Sequence, residues 1–342
     1  MMKRFRKLKI FGIVVLTIFI FFLVINIIPP AKVVKDNPFL VNGELPMIAA
    51  HRGGADNAPE NTMAAYKKAV YENETQIIET DVCLTKDDKL VFNHDLTIDR
   101  MSDVDLVKGT SISEKTHFVR DYTLEELKYF NFAYGYKASN DTYPYQDLLT
   151  GKNDDERLKL LKDNEFQIVE FTELFEEFYQ TKPNLMFIIE IKDSGETGKK
   201  AAQVLYETLN NNENYRHYLK QMVIGTFNDE IEQELKEKYP TLLRGASTGS
   251  AAKFVVTEML KVNLFDNSDF SCLQIPMEYE FKGIALNLTK KAYINRAHRR
   301  GMAVQYWTID DEHDMRTLIE LGVDAIMTND PALLKEILKE YR

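Results

Sequence analysis

Short apolar runs separated by amphipathic stretches recur from residue 47 to the end of the chain, and this alternation limits the fold more than any other feature. The runs read "MIAA", "QIIETDV", "KLVFNHD", "LMFIIEIK", "QMVIGTF", "LLRGAS", "GIALNL", "MAVQYWTI" and "AIMTN". Between several of them lie helical patterns such as "NTMAAYKKAVYEN", "GKKAAQVLYETLNN", "DEIEQELKEKY", "TKKAYINRAHRRG" and "DEHDMRTLIELG". Strands alternating with helices build parallel βαβ units. Taking "QIIETDV" and "KLVFNHD" as one strand with a short extension leaves eight units. The expected fold is therefore α/β, a (β/α)8 TIM barrel rather than an open sheet. Residues 99–169 break the rhythm with many charges, Tyr and Asn. A linker between domains is one reading. An insertion in a βα loop is the better one, because the count completes only if the chain returns to the same sheet.

The N-terminus differs from the rest. Residues 10–28, "IFGIVVLTIFIFFLVINII", contain only Gly12, Thr17 and Asn26 as non-hydrophobic residues. At ~1.5 Å per residue, a helix of this length spans a ~30 Å hydrocarbon core. Lys3, Arg4, Arg6, Lys7 and Lys9 precede it with no acid among them, so the positive-inside rule puts that end in the cytoplasm. A cleaved signal peptide would have an apolar core of about 7–15 residues and a small-residue cleavage site. The longer run favours an uncleaved transmembrane helix. The expected organisation is a basic tail and anchor over 1–30, an extended Pro-containing linker over 31–46, and an extracytoplasmic barrel over 47–342. Localisation is then the cell membrane, single-pass.

Without residues 1–30 the chain holds 38 Lys+Arg against 53 Asp+Glu, a net charge of −15. That excludes the basic footprint a nucleic-acid partner requires. Cys83 and Cys272 are the only cysteines, too few for a disulfide scaffold; a single bridge between them stays open.

Charged residues fall at the ends of the apolar runs. In "IIETDV", Glu79 and Asp81 are two apart, so on a strand both point to one face while Ile78, Thr80 and Val82 point to the other. In a barrel the acids then face inward, where like charges repel and lose hydration. A hard divalent cation, Ca²⁺ or Mg²⁺, resolves both problems with oxygen ligands. "MFIIEIK" repeats the pattern, with Glu190 and Lys192 sharing the face opposite Phe187, Ile189 and Ile191. Trp307 shares its face with Gln305, which puts an aromatic inward near a strand end, with core filling as the alternative. His94 ends another run and is followed by Asp95, an orienting partner for the imidazole. "MIAA" ends in His51-Arg52-Gly53-Gly54 and leads through Pro59-Glu60-Asn61-Thr62 into a helical pattern. TIM barrels gather catalytic groups at the C-terminal ends of their strands. There His51, Arg52, Glu79, Asp81, His94, Glu190, Lys192 and Trp307 meet in one mouth. Two His, several carboxylates, an Arg and a Lys suit metal-assisted chemistry on a phosphate ester.

The ordered set "HRG", "APENT", "ETDV", "HD", "EIK", "W" and "TNDP" resembles the glycerophosphodiester phosphodiesterases, over residues 47–338. The resemblance implies a TIM barrel that hydrolyses a glycerophosphodiester or glycerophospholipid-derived substrate to glycerol 3-phosphate and an alcohol. It implies one divalent cation held by Glu79, Asp81 and Glu190, with Glu60 near the metal or its ligands. His51 and His94 would be the acid/base pair, and Arg52, Lys192 and Trp307 would contact substrate and phosphate. Members are thought to use the glycerol 2-hydroxyl as internal nucleophile through a cyclic phosphate. The glycines would let backbone approach the phosphate. "TNDP" fits the closing motif loosely and leaves the role of Asn329 open.

Rival readings are a variant acting on lysophospholipid or glycerol-phosphate wall polymer, a non-catalytic glycerophosphate-binding surface module, and a phosphoinositide-cleaving barrel. The presence of both His and all three acids opposes the second; the third also uses two His, and the paired acids of "ETDV" with Glu190 oppose it. His117, His217, His298 and His313 read as surface residues, and the Tyr/Phe content of 99–169 as that segment's own small core.

Overall fold

The computed structural model describes residues 2–28, 30, 32–262, 266–281 and 283–342. Eleven strands are present among them: β1 (Met47–Ala50), β2 (Ile77–Leu84), β3 (Leu90–Phe92), β4 (Met186–Ile191), β5 (Met222–Gly225), β6 (Leu243–Arg244), β7 (Cys272–Ile275), β8 (Glu278–Phe281), β9 (Ile284–Asn287), β10 (Ala303–Tyr306) and β11 (Ala325–Thr328). The main sheet runs β6-β5-β4-β2-β1-β11-β10-β7, with every neighbour on that path parallel. A parallel bridge between Gly245 and Cys272, with Ser271 N donating to Arg244 O at 2.7 Å and Ala246 N to Cys272 O at 3.0 Å, joins β6 to β7. The eight strands thereby all but close into the expected TIM-type barrel. β3 extends the sheet antiparallel to β2, Val82 opposite Phe92.

Side-chain alternation builds two layers. Ile78, Val82, Phe187, Ile189 and Ile224 point outward and pack with Leu205 and Leu235 of the surrounding helices. Ala49, Ile77, Ile188, Val223, Cys272, Ala303, Ala325 and Met327 fill the barrel. The five helical patterns fold as Met63–Lys67, Gly195–Asn211, Asp229–Lys238, Lys291–His298 and Glu312–Leu321. In Gly195–Asn211, Ala201, Ala202, Leu205 and Leu209 are buried, the i, i+4, i+8 spacing of one helix face. Burying each large side chain contributes about 1.5–3 kcal/mol.

One strand differs from the sequence expectation: "GIALNL" is not a barrel strand, because Ile284–Asn287 pairs antiparallel with Glu278–Phe281 as a separate hairpin. The barrel position belongs to "CLQI", β7. Its signal is weak because Gln274, an inward position, is polar, which shortens the apolar run around Leu273 and Ile275.

Residues 99–169 lie between β3 and the helix Phe171–Phe178 that leads to β4. Ile98, Val104, Val119, Leu127, Phe130, Phe132 and Ile168 form a cluster there with Cys83 and Val91. Residues 32–46 cross the N-terminal end of the barrel. Phe39 is fully buried in the interior cluster, Asn37 Nδ2 donates to Ser271 O at 2.8 Å and Gly301 O at 2.9 Å, and Val41 N donates to Asp324 Oδ1 at 2.9 Å.

Residues 2–27 form one helix, in which the described apolar side chains from Ile10 to Val24 are exposed. The side chains of 2–5, 8 and 25–27 lie outside the described residues, and with them part of the expected transmembrane segment. Among the described residues no helix is long and apolar enough to cross a membrane.

Candidate active site

β1 ends at Ala50, and His51–Gly53 make a single 3-10 turn. Arg52, Gly53 and Gly54 have φ of 53°, 82° and 89°, a left-handed succession that glycine adopts without strain. A Cβ on Gly53 would lie 2.9 Å from the Tyr66 ring, and one on Gly54 would lie 2.9 Å from Pro331. The glycines therefore serve the turn and its packing against Tyr66 and Pro331. The following helix starts at Met63, with Ala65 N donating to Thr62 Oγ1 at 3.2 Å. Glu60 lies in the turn before it.

The turn places Arg52 N 2.9 Å from Glu79 Oε2, to which it donates. β2 carries Glu79 and Asp81 inward, and β4 carries Glu190 opposite Asp81. Carboxylate oxygens of these three residues lie within 4.8 Å of one another. Lys192 Nζ is 2.9 Å from Glu190 Oε1 and 3.6 Å from Asp81 Oδ1. Burial, then repulsion from Asp81, pushes the Glu79 carboxyl well above its usual range. Burial and Asp81 also raise Glu190 against the pull of Lys192. Burial alone would lower Lys192, yet Asp81 and Glu190 outweigh it and raise its pKa. Asp81 Oδ2 is buried without a hydrogen-bond partner, a costly state for a carboxylate oxygen. Three converging acids, one with an orphaned oxygen, fit a hard divalent cation bound through oxygen.

The two imidazoles flank this cluster. His51 Nδ1 donates to Asn329 Oδ1 at 2.6 Å, and its Nε2 lies 4.0 Å from Glu79 Oε2. Burial, then the Arg52 charge, lowers the His51 pKa, favouring the neutral ring. His94 Nδ1 donates to Asp95 Oδ1 at 2.8 Å, as "HD" indicated. Arg100 Nε donates to Asp95 Oδ2 at 2.6 Å, and its Nη1 and Nη2 reach Glu60 at 3.0 and 2.6 Å. Glu60 also accepts from Arg52 Nη1 at 3.3 Å. Its carboxylate is thus occupied by two guanidiniums. Burial raises its pKa, but Arg100 and Arg52 overcome that and lower it. Glu60 braces Arg52 rather than joining the three acids.

A cavity of about 140 Å³ at the C-terminal ends of the strands is lined by His51, Arg52, Glu79, Asp81, His94, Glu190 and Trp307. Lys192 borders it through its pairing with Glu190 and Asp81. All eight residues read from the sequence into one mouth come together. Others went unread. Phe227, 55% exposed after β5, meets Trp307 edge-on at 5.7 Å, with Lys192 Nζ 5.9 Å above its ring. Gln274 lines the floor and donates to Gln305 Oε1 at 3.0 Å. Arg100 lies five residues beyond Asp95, a spacing with no periodicity to expose it. Asn329, whose role stood open, is the His51 partner.

Elsewhere, His117 is buried rather than at the surface. It forms a second group with Asp99 and Asp105 that is satisfied internally. Thr110 Oγ1 donates to Asp105 Oδ1 at 2.8 Å and accepts from His117 Nε2 at 3.0 Å, while Tyr122 OH bonds Nδ1. His298 pairs with Asp324 at 2.8 Å. Cys83 and Cys272 are buried, free thiols in different clusters. A larger cavity, about 650 Å³, lies at the opposite end of the barrel beside Met47 and Lys335, far from this chemistry.

The glycerophosphoryl diester phosphodiesterase family model matches residues 51–333. A glycerophosphodiester phosphodiesterase of Caldanaerobacter subterraneus subsp. tengcongensis is 26% identical over 296 residues, covering 86% of this chain and 98% of its own. One from Bacillus subtilis is 25% identical and covers 98% of this chain and 100% of its own. A lysophospholipase D of Rattus norvegicus is 26% identical, covering 84% and 85%. Among solved structures, a glycerophosphoryl diester phosphodiesterase domain from Mycobacterium tuberculosis shares the fold with a TM-score of 0.66 and 16% identity, covering 86% of this chain and 99% of that chain. An Oleispira antarctica phosphodiesterase in complex with the product sn-glycerol-3-phosphate shares it with a TM-score of 0.59 and 20% identity, covering 86% and 97%.

Proposed function

Because the chain belongs to the glycerophosphoryl diester phosphodiesterase family, we propose that it hydrolyses glycerophosphodiesters to glycerol 3-phosphate and an alcohol at the mouth built around His51, His94 and the three acids. The observation that carries this reading is the convergence of Glu79, Asp81 and Glu190 between two imidazoles whose Nδ1 atoms are both committed to acceptors. Each ring is left with Nε2 to exchange a proton with substrate. His51, whose pKa burial lowers, suits the group that takes the proton from the attacking hydroxyl. His94, backed by the Asp95 carboxylate, suits the one that gives a proton to the leaving oxygen. Arg52 and Lys192 offset phosphoryl charge, and Trp307 with Phe227 walls the alcohol side. A divalent cation, Ca²⁺ or Mg²⁺, held by Glu79, Asp81 and Glu190, would polarise a phosphoryl oxygen.

A second reading follows from the exposed Phe227 at the mouth together with the lysophospholipase D relative: the leaving alcohol is carried by a lysophospholipid. The apolar run 10–28 behind a basic tail supports a single-pass anchor that holds the site near a membrane surface on the extracytoplasmic side. The test is to incubate the purified full chain with glycerophosphocholine, lysophosphatidylcholine and a short glycerol-phosphate polymer, measuring glycerol 3-phosphate, choline and lysophosphatidic acid. Glycerol 3-phosphate from the first supports the main reading, and lysophosphatidic acid from the second supports the variant. Turnover of none of the three would sink the catalytic reading.

A further inference from the structure

The amide of Asn329 has a fixed orientation, and its cause lies one shell farther out. Asn329 Nδ2 donates to Asp310 Oδ2 at 2.8 Å, and Asn329 N donates to Asp310 Oδ1 at 2.8 Å. Thr328 Oγ1 adds a third bond to Asp310 Oδ1 at 3.0 Å. An ionised carboxylate only accepts, so the NH2 end of the amide must face Asp310. The carbonyl oxygen then faces His51 Nδ1, 2.6 Å away. A carbonyl also only accepts, so the His51 proton resides on Nδ1. Nε2 is left with its lone pair on the side of the cavity where Glu79 lies.

We propose that Asp310 is a positioning residue, which selects the Nδ1–H tautomer of His51 by pinning the Asn329 amide. The inference rests on the reading of His51 as a proton-exchanging group. An amide alone cannot enforce a tautomer, because either of its ends can face the ring. His94 needs no such device, since its partner is itself a carboxylate. Asp310 sits in the loop after β10 at an exposed position, so replacing it leaves the barrel packing untouched.

Asp310→Asn supplies an NH2 of its own. Asn329 can then turn its carbonyl toward position 310 and its NH2 toward His51, which moves the ring proton to Nε2. Two-bond ¹H–¹⁵N spectra of the full chain with ¹⁵N-histidine, assigned with His51→Gln, read the tautomer without any turnover. Wild type is expected to show His51 as Nδ1–H and Asp310→Asn as Nε2–H. The loss in kcat should be roughly 10- to 100-fold, with KM within about two-fold. Asn329→Asp sets two carboxylates against each other and should also lose activity. The double variant Asp310→Asn/Asn329→Asp pairs amide with carboxylate again and should recover the Nδ1–H signal and most of kcat. An unchanged His51 tautomer in Asp310→Asn, or a double variant no better than either single one, would overturn the proposal. Loss of turnover in wild type would instead count against the hydrolase reading, since the tautomer is measured independently of it.

Discussion

At the scale of single residues, His94 is held by charge. Asp95 accepts from His94 first and from Arg100 second, and both depress its pKa strongly against partial burial. A carboxyl whose folded pKa lies below its unfolded value near 3.8 contributes stability that is present above that value and lost as pH falls through the folded one. Asp95→Asn should therefore lower the melting temperature by a constant amount above pH ~5, and the difference should shrink in acid. The same variant should cut kcat roughly 10- to 100-fold. Paired melting curves from pH 2 to 8 and steady-state rates check both; a stability difference that grows in acid would contradict the assignment. The sequence disclosed Glu79, Asp81, Glu190 and Lys192 because acids two apart on an apolar strand have one physical reading. The roles of Asn329 and Arg100 were not legible, since Asn329 meets His51 278 residues away and Arg100 bridges Asp95 to Glu60, 40 residues away, and local pattern carries no such information. Phe227 had a faint signal, an aromatic just past a strand end in "GTF".

At the scale of elements, the alternation of apolar runs and helical stretches was enough to reveal a barrel, because a two-residue period on strands and a 3.6-residue period on helices are local properties. The missed strand shows the limit. β7 has polar Gln274 at an inward position, whereas "GIALNL" is more apolar yet pairs as a hairpin. Gln274 is accommodated because Gly225 at the end of β5 and Gly245 just after β6 have no side chain. A Cβ on Gly245 would lie 2.3 Å from Gln274 Oε1. Gly245→Ala should displace Gln274 from the cavity floor and raise KM several-fold, while the melting temperature changes little, since the contact is with a side-chain end. Kinetics beside a melt decides it, and an unchanged KM would remove Gln274 from the substrate side.

At the scale of the whole molecule, the barrel is closed from below by chain that reads as linker. Phe39 is fully buried among Ala49, Ile188, Ala303 and Ala325, and Phe39→Ala should cost about 3–5 kcal/mol of stability, measured by denaturant unfolding. Prolines at 38 and 46 concealed this, because the short run Phe39-Leu40-Val41 has no periodicity to announce it. A chain cut at residue 47 should be far less stable than one cut before residue 32. The central claim is that three acids and two imidazoles form one metal-assisted hydrolytic centre. Its most direct test strips the full chain with chelator and measures glycerol 3-phosphate release from glycerophosphocholine on return of Ca²⁺ or Mg²⁺, beside His51→Ala and Glu79→Gln. The account predicts that chelation stops release and that at least one cation restores it. His51→Ala should lose roughly 10²- to 10⁴-fold in rate, and Glu79→Gln should no longer respond to added cation. Undiminished release by the chelated protein, or a Glu79→Gln variant that matches wild type, would contradict it.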